Sequence, residues 1–313
     1  MLGVVLIDFN SYERTRRYVE DILSASDITI DEIVIIDNSP RLDNFKALLD
    51  ELRKIGLREE KLINKNNYDS FVQGRLQETI VIVAKSKENL GFAKANNCGF
   101  AILKETIKPE YVLFSNSDIQ FVDGIVEITK LISAFDKDNV GLVGPLVVGL
   151  DEKQQSPCKY LSIYSRWWKP TLLWPFNRGR KSSETIELSE PGYVYRLIGA
   201  FMLASSVSFE KIGGFDEHTF LYGEECILSE RYKQKGLRVF CDPCVKIIHE
   251  GGYTTNTNKK DYAARDRKAK RRLESDLYYY EKYIHVKPWI IQLTRIFTRL
   301  YIFKLHIKDR IVK

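Results

Sequence analysis

An α/β fold, with a mostly parallel sheet flanked by helices on both faces, is what this sequence predicts. Three observations carry that expectation. Through the first half, short runs of β-branched and aliphatic residues alternate with segments of helical periodicity. The runs are continuously apolar, as strands covered on both faces must be. The chain's 313 residues, 44% hydrophobic and 29% charged, suffice for one large core plus an appendage, and the composition excludes a disordered, collagenous or disulfide-dense chain.

Gly3–Phe9 reads as the first buried strand, and the helix after it carries Tyr18, Ile22 and Leu23 on one face. Ile30–Asp37 is the second strand, with Phe45–Leu52 in the following helix. Thr79–Ala84 is the third, followed by a helix over Phe92–Leu103. Tyr111–Phe114 is the fourth, Asp123–Phe135 reads as a helix, and Val140–Val148 is a fifth strand bent at Gly144-Pro145. An irregular stretch from Gly149 to about Gly192 carries Trp167, Trp168, Trp174 and Phe176 beside Pro170 and Pro175. So long an aromatic loop is either a flap over a site or packing against the body. Strand Tyr193–Ala204, a short helix ending at Gly213-Gly214, a helix over Glu224–Gln234, strand Leu237–Phe240 and extended Val245–His249 complete a domain over residues 1–252. Residues 253–313 form a basic helical extension.

Charge separates the two parts. From Gly251 onward there are 16 Lys and Arg against 6 Asp and Glu, a net of +10, which leaves −4 on the first 250 residues. An acidic body with a basic tail points to chemistry in the first and attachment through the second. Tyr262–Ile284 has a stripe at Ala269, Leu273, Leu277, Tyr280 and Ile284. Trp289–Ile307 sets Leu293, Ile296, Leu300 and Phe303 against Arg295, Arg299, His306 and Arg310. Arg295, Arg299 and Lys304 would each cost about 2.5–3.5 kcal/mol at mid-bilayer, which excludes a spanning segment. A basic amphipathic helix of this kind suits peripheral contact with an anionic membrane surface. The same stripe also suits packing on the body or on a second copy, as a homodimer. No nucleic-acid recognition module accompanies the charge. The first ten residues begin a strand rather than a secretion signal, and five scattered cysteines fit a reducing compartment. The expected location is cytoplasmic, on the inner face of the cell membrane.

Ligands of such sheets sit at the carboxyl ends of the strands. There the chain places Asp8-Phe9-Asn10, Asp37-Asn38-Ser39 and Asn116-Ser117-Asp118. These residues either converge on a ligand or make turns and cap helices. The glycine-rich dinucleotide fingerprint is absent after the first strand, and so is a phosphate loop. Asp118 at a strand end could hold Mg²⁺ or Mn²⁺ together with substrate phosphates. Glu224-Glu225 opens a helix, where carboxylates are favoured by the dipole and one could serve as a general base. His249 ends an apolar run as either a structural or a metal-ligating imidazole. Cys241-Asp242-Pro243-Cys244 lacks the second cysteine pair a zinc site would need.

Taken in order, VVLIDFNSYE, EIVIIDNSP, ENLGFAKANNCGF, YVLFSNSDI, IGAFMLASSVSFEKIGGFDEHTFLYGEE and VKIIHEGG resemble the family 2 inverting glycosyltransferases of the GT-A fold, in particular the bacterial rhamnosyltransferase-like branch. The resemblance covers residues 2 to 252. It implies a GT-A catalytic domain using a nucleotide-diphosphate sugar donor and a growing, lipid-linked surface polysaccharide as the saccharide acceptor. Asp8 and Asp37 would line the base and ribose pocket, and Asn10 would also bind the nucleotide. Asn89, Gly91, Asn96 and Asn116 would lie along the nucleotide and its diphosphate. Asp118 and His249 would hold the metal, and Glu225 would be the base with Glu224 beside it.

The chain departs from the family pattern in three places. Glu225 stands where relatives carry Asp, Ile227 stands where they carry a second Asp, and Ala204 stands where many carry Arg. A longer carboxylate moves a positioned group by over about 1 Å, and the loss at Ile227 bears on acceptor contacts. Two other readings compete: a nucleotidyltransferase, which would want a glycine- and base-rich loop that DFNSYERT does not supply, and a partner protein of the same fold that has lost catalysis.

Overall fold

The computed structural model of the chain describes residues 1–62, 68–169, 184–251 and 262–311. In order, the elements begin β1 (Leu2–Asp8), α1 (Tyr12–Ala25), β2 (Glu32–Asp37), α2 (Leu42–Lys54), β3 (Arg58–Leu62), β4 (Tyr68–Leu76), β5 (Thr79–Ser86) and α3 (Gly91–Thr106). Next come β6 (Tyr111–Ser115), β7 (Ile119–Phe121), α4 (Ile128–Ser133), β8 (Val140–Val148) and β9 (Gln154–Ser156). The second part holds β10 (Gly192–Val194), β11 (Phe201–Ser205), α5 (Ser206–Lys211), α6 (Glu224–Gln234) and β12 (Arg238–His249), then α7 (Tyr262–Lys282) and α8 (Pro288–Ile311).

One sheet runs β10-β12-β8-β11-β6-β1-β2-β5-β4-β3, with β7 on β12 and β9 on β8. Its centre, β6-β1-β2-β5, is parallel. The flanks are antiparallel at β11 and at the β3–β4–β5 meander, so the sheet as a whole is mixed. Alternation explains the apolar runs. Val4 and Leu6 of β1 and Ile33 and Ile35 of β2 face the core under α1, α2 and α4, while Val5, Val34 and Ile36 face the core under α3, α5 and α6. Both faces are buried, each aliphatic side chain contributing about 1.5–3 kcal/mol. The helices supply matching stripes: Tyr18, Val19 and Ile22 on α1, and Phe45, Leu48, Leu49 and Leu52 on α2.

Four sequence expectations change in detail. The β3–β4 hairpin was not anticipated, because its residues are charged: Glu59 and Glu60 pair with Arg53 and Arg75 at a sheet edge, where charge blocks further strand addition. The expected helix over Asp123–Phe135 shortens to α4, since Asp123 adopts φ +55° and Gly124 φ +68°. The expected strand Tyr193–Ala204 divides into β10 and β11, which pair with different neighbours. The two pieces Leu237–Phe240 and Val245–His249 join as one long β12 with a register shift at Asp242.

α7 and α8 pack on the body. Leu273, Leu277, Tyr279, Tyr280 and Ile291 form a third core cluster with Ile163, Cys226 and Ile227. The aromatic segment joins them there: Trp167 Nε1 donates to Asp276 at 3.1 Å, Trp168 Nε1 to Thr294 at 2.7 Å, and Arg166 pairs with Asp276 at 2.5 Å. Trp167 and Trp168 are therefore packing residues that hold the C-terminal helices, not a flap. Trp174 and Phe176 lie outside the described residues.

Candidate active site

A cleft of about 790 Å³ opens at the carboxyl ends of β1 and β6, where they face the end of β12 and the turn before α6. Asn10, Asn89, Gly91, Asn116, Asp118, Glu224, Glu225 and His249 all line it, although they come from five separate stretches of chain.

Strand pairing unites Asp118 and His249. β7 runs antiparallel to the end of β12 with Ile119 opposite His249, and the Glu250 amide donates to the Asp118 carbonyl at 3.0 Å. Asp118 Oδ1 thereby comes within 3.3 Å of His249 Nε2. Gln155 fixes the imidazole from behind: its Nε2 donates to the His249 carbonyl at 3.2 Å, which turns its Oε1 towards Nδ1 at 2.7 Å. Since Oε1 only accepts, Nδ1 donates in this contact, and Nε2 is the nitrogen that faces the carboxylate. Burial alone would raise the Asp118 carboxyl, but the hydrogen bond and charge of His249 outweigh it and hold it below the usual carboxylate range. No group of three or more His, Cys, Asp or Glu suited to a metal occurs among the described residues. The pair still fits a hard divalent cation, which keeps several waters and takes substrate oxygens, and its histidine has the outer-shell support that metal-ligating histidines need.

Across the cleft, Gly223 caps α6 at φ +86° and delivers the two glutamates. Glu225 is half-buried, and its Oε1 accepts from the Gly199 amide at 3.2 Å. Glu224 is only 4% exposed, and its Oε1 has no hydrogen-bond partner among the described residues. Burial, then the charge of adjacent Glu225, pushes its carboxyl up to about 8. Both causes favour the protonated form, in which Glu224 can donate. Gly91 is required at its position: it has φ +72°, and a Cβ there would lie 2.3 Å from the Phe220 carbonyl oxygen.

Three expected residues do not reach the cleft surface. Asp8 and Asp37 are register partners at the ends of β1 and β2, and both are fully buried. Asp8 accepts from Thr15 Oγ1 at 2.5 Å, Ser11 Oγ at 3.1 Å and Asn44 Nδ2 at 2.8 Å. Asp37 accepts from the same Asn44 at 3.1 Å and from the Ser39 amide at 2.9 Å. Asp37 Oδ2 is buried with no hydrogen-bond partner among the described residues. Asn96 faces inward on α3 and donates to the Phe92 carbonyl at 3.1 Å.

Other residues were missed. Asn38 lines the cleft and ties β2 to α3 by donating to the Gly91 carbonyl at 3.0 Å and accepting from the Leu90 amide at 2.9 Å. Its place in IIDNS was the available signal. Arg14 also lines the cleft and pairs with Glu250 at 3.1 Å. Arg271 reaches it from α7, and nothing distinguishes this residue within its basic run. Ile227 is fully buried against α7, so the missing second Asp is a packing residue here, and Ala204 is buried in the sheet.

Known proteins share this arrangement of chain. The crystal structure of GalNAc-T7 with UDP, GalNAc and Mn²⁺ superposes with a TM-score of 0.54 at 15% identity, covering 91% of this chain and 56% of that one, which places the fold among the GT-A glycosyltransferases. In sequence, the chain is 26% identical over 193 residues to the N-acetylglucosaminyl-diphospho-decaprenol L-rhamnosyltransferase of Mycobacterium tuberculosis, covering 58% of this chain and 62% of that relative's length. It is 27% identical over 228 residues to the rhamnosyltransferase WbbL of Escherichia coli K12, covering 69% of this chain and 82% of the relative. The profile of glycosyl transferase family 2 matches residues 4–173, a stretch that begins in β1 and runs past Asp118, and by that match the chain belongs to glycosyl transferase family 2.

Proposed function

We propose that the protein is an inverting glycosyltransferase that moves a sugar, rhamnosyl in type, from a nucleoside diphosphate to a hydroxyl of a lipid-linked saccharide. The observation that carries this reading is the meeting of Asp118, His249 and Glu225 on one cleft. The names of both rhamnosyltransferases support the sugar class, and the diphospho-decaprenol in one of them supports a lipid-linked acceptor.

In this reading Asn10, Asn38, Asn89, Gly91 and Asn116 hold the nucleotide and its diphosphate, while Asp8, Asp37 and Asn96 fix the loops beneath. Asp118 and His249 would hold Mg²⁺ or Mn²⁺, which when bound neutralises charge on the diphosphate. Glu225 takes the proton of the acceptor hydroxyl as that oxygen bonds to the anomeric carbon. The bond from that carbon to the diphosphate breaks, its electron pair leaving with the nucleoside diphosphate. Attack on the face opposite the leaving group inverts the anomeric centre. General-base help contributes about 10²–10⁴-fold, so orientation and charge neutralisation must supply the rest. Glu224, protonated, donates to a sugar hydroxyl and does not compete for the proton.

The test is transfer itself. Purified protein with Mn²⁺, a panel of dTDP-, UDP- and GDP-sugars and an N-acetylglucosaminyl-diphospho-lipid acceptor should yield nucleoside diphosphate and an extended acceptor in equal amounts. Nucleotide binding without any transfer would instead favour the partner protein that has lost catalysis.

Membrane contact belongs to the same proposal. No helix among the described residues is long and apolar enough to cross a membrane. On α8 the body takes Ile291, Thr294 and Thr298, whereas Trp289 and Ile296 are 59% and 52% exposed on the outer side. The side chains of Leu300, Phe303, His306 and Arg310 lie outside the described residues. With the tail's net charge of +10, this face suits an anionic bilayer surface. Co-sedimentation with vesicles containing phosphatidylglycerol should exceed that with phosphatidylcholine and drop in the Trp289→Glu, Ile296→Glu variant. A two-chain mass by light scattering that this variant abolishes, with no vesicle binding, would assign the face to a homodimer.

A further inference from the structure

Glu224, Glu225 and the turn before them are clamped from one side by α7. Ser275 Oγ donates to the Leu221 carbonyl at 3.2 Å, and Tyr278 and Tyr283 both donate to Asp216 Oδ2, the first at 2.8 Å. Leu273 and Leu277 pack on Ile227. The helix is therefore fixed relative to the cleft, and Arg271, one turn before Ser275, is carried to its rim.

Three features mark Arg271. Its guanidinium carbon lies 4.6 Å from the centroid of the Phe220 ring, a contact that orients the group without neutralising it. Phe220 in turn seats on the start of α3: its carbonyl accepts the Phe92 amide at 3.0 Å and abuts Gly91. The charge thus stands near the N-terminal turn of a 16-residue helix, whose dipole favours an anion. Finally, no carboxylate among the described residues lies within ion-pair distance of Arg271. Its neighbours are committed elsewhere, Arg272 to Glu184 at 3.3 Å, Arg295 to Glu274 at 2.9 Å and, within the cleft, Arg14 to Glu250.

We propose that Arg271 is a diphosphate-binding residue of the cleft, supplied by the C-terminal helix, so that the basic tail completes the substrate site as well as extending it. The inference rests on the glycosyltransferase reading. A planar guanidinium preset by an aromatic ring is suited to two parallel hydrogen bonds to phosphate oxygens. The diphosphate could be that of the nucleotide donor or that of a lipid-linked acceptor.

Calorimetry on the full chain with Mn²⁺ separates these sources. The probes are UDP, dTDP and GDP with their parent nucleosides, and farnesyl diphosphate with farnesol. Arg271→Ala should weaken at least one diphosphate by about tenfold, the loss expected for a charge-assisted contact, and leave its unphosphorylated counterpart unchanged. Arg271→Lys should recover part of the loss, and Lys270→Ala, a charge removed from the same helix away from the cleft, should recapitulate none of it. Loss confined to nucleoside diphosphates assigns the donor, and loss confined to farnesyl diphosphate assigns the acceptor. Wild-type affinity of Arg271→Ala for every diphosphate that the wild type binds overturns the inference alone. A wild type that binds no diphosphate sinks the glycosyltransferase reading, and the inference with it. An unchanged thermal midpoint shows that the variants fold.

Discussion

The ends of β1 and β2 and the ends of β6, β7 and β12 carry the same kind of residue and use it differently. Asp8 and Asp37 are sealed under the loops by Thr15, Ser11, Ser39 and Asn44. Asp118 meets one imidazole and the open cleft. The difference follows from what comes next in the chain. After β1 and β2 a helix begins within a few residues, and hydroxyls, an amide and an Asn side chain near its start take up every carboxylate oxygen except Asp37 Oδ2, which is buried with no hydrogen-bond partner among the described residues. After β6 the chain enters β7 and docks on a distant strand, which brings histidine instead of helix-capping donors. The aspartate that faces the cleft is the one whose next segment is a strand rather than a helix.

Breaking the cleft side should have the largest effect. Asp118→Ala is expected to abolish Mn²⁺-dependent nucleotide binding by calorimetry while leaving the thermal midpoint nearly in place; undiminished affinity would remove the cation from this pair. Glu225→Gln should keep donor affinity and lower turnover at least about a hundredfold. Turnover near wild type would move the base to another group.

On the sealed side the pattern should invert. Asp8→Ala removes the acceptor of Thr15 and Ser11 and one of the two acceptors of Asn44, and should cost about 2–3 kcal/mol in urea denaturation, with nucleotide affinity of the folded protein preserved. A loss of affinity at unchanged stability would make Asp8 a ligand and erase the contrast. Glu224 sharpens it most gently. Its folded-state value of about 8 exceeds the ordinary 4.5, so the folded chain binds this proton more tightly than the unfolded one. Stability therefore falls as pH rises between these values and levels off above them. Glu224→Gln should melt several degrees above wild type at pH 8 and close to it at pH 5; a constant difference across that range would count against the raised value.

The parallel centre of the sheet was legible because both its faces are buried, which leaves β1, β2, β5 and β6 with uninterrupted apolar runs. The edge hairpin was not, since solvent accepts its charged residues as readily in a loop as in a strand. Asp118, His249 and the two glutamates were visible as residue types and through family resemblance. The meeting of Asp118 and His249 depends on β7 pairing with β12, a contact between segments about 130 residues apart that leaves no local trace. Ile227 shows the converse. It reads as a lost acidic group until α7 is seen to cover it.

His249 reaches Asp118 only when the final strand of the sheet has docked. A chain that stopped short of that strand would hold Asp118 with no imidazole beside it, so this side of the cleft is assembled by the last strand of the sheet.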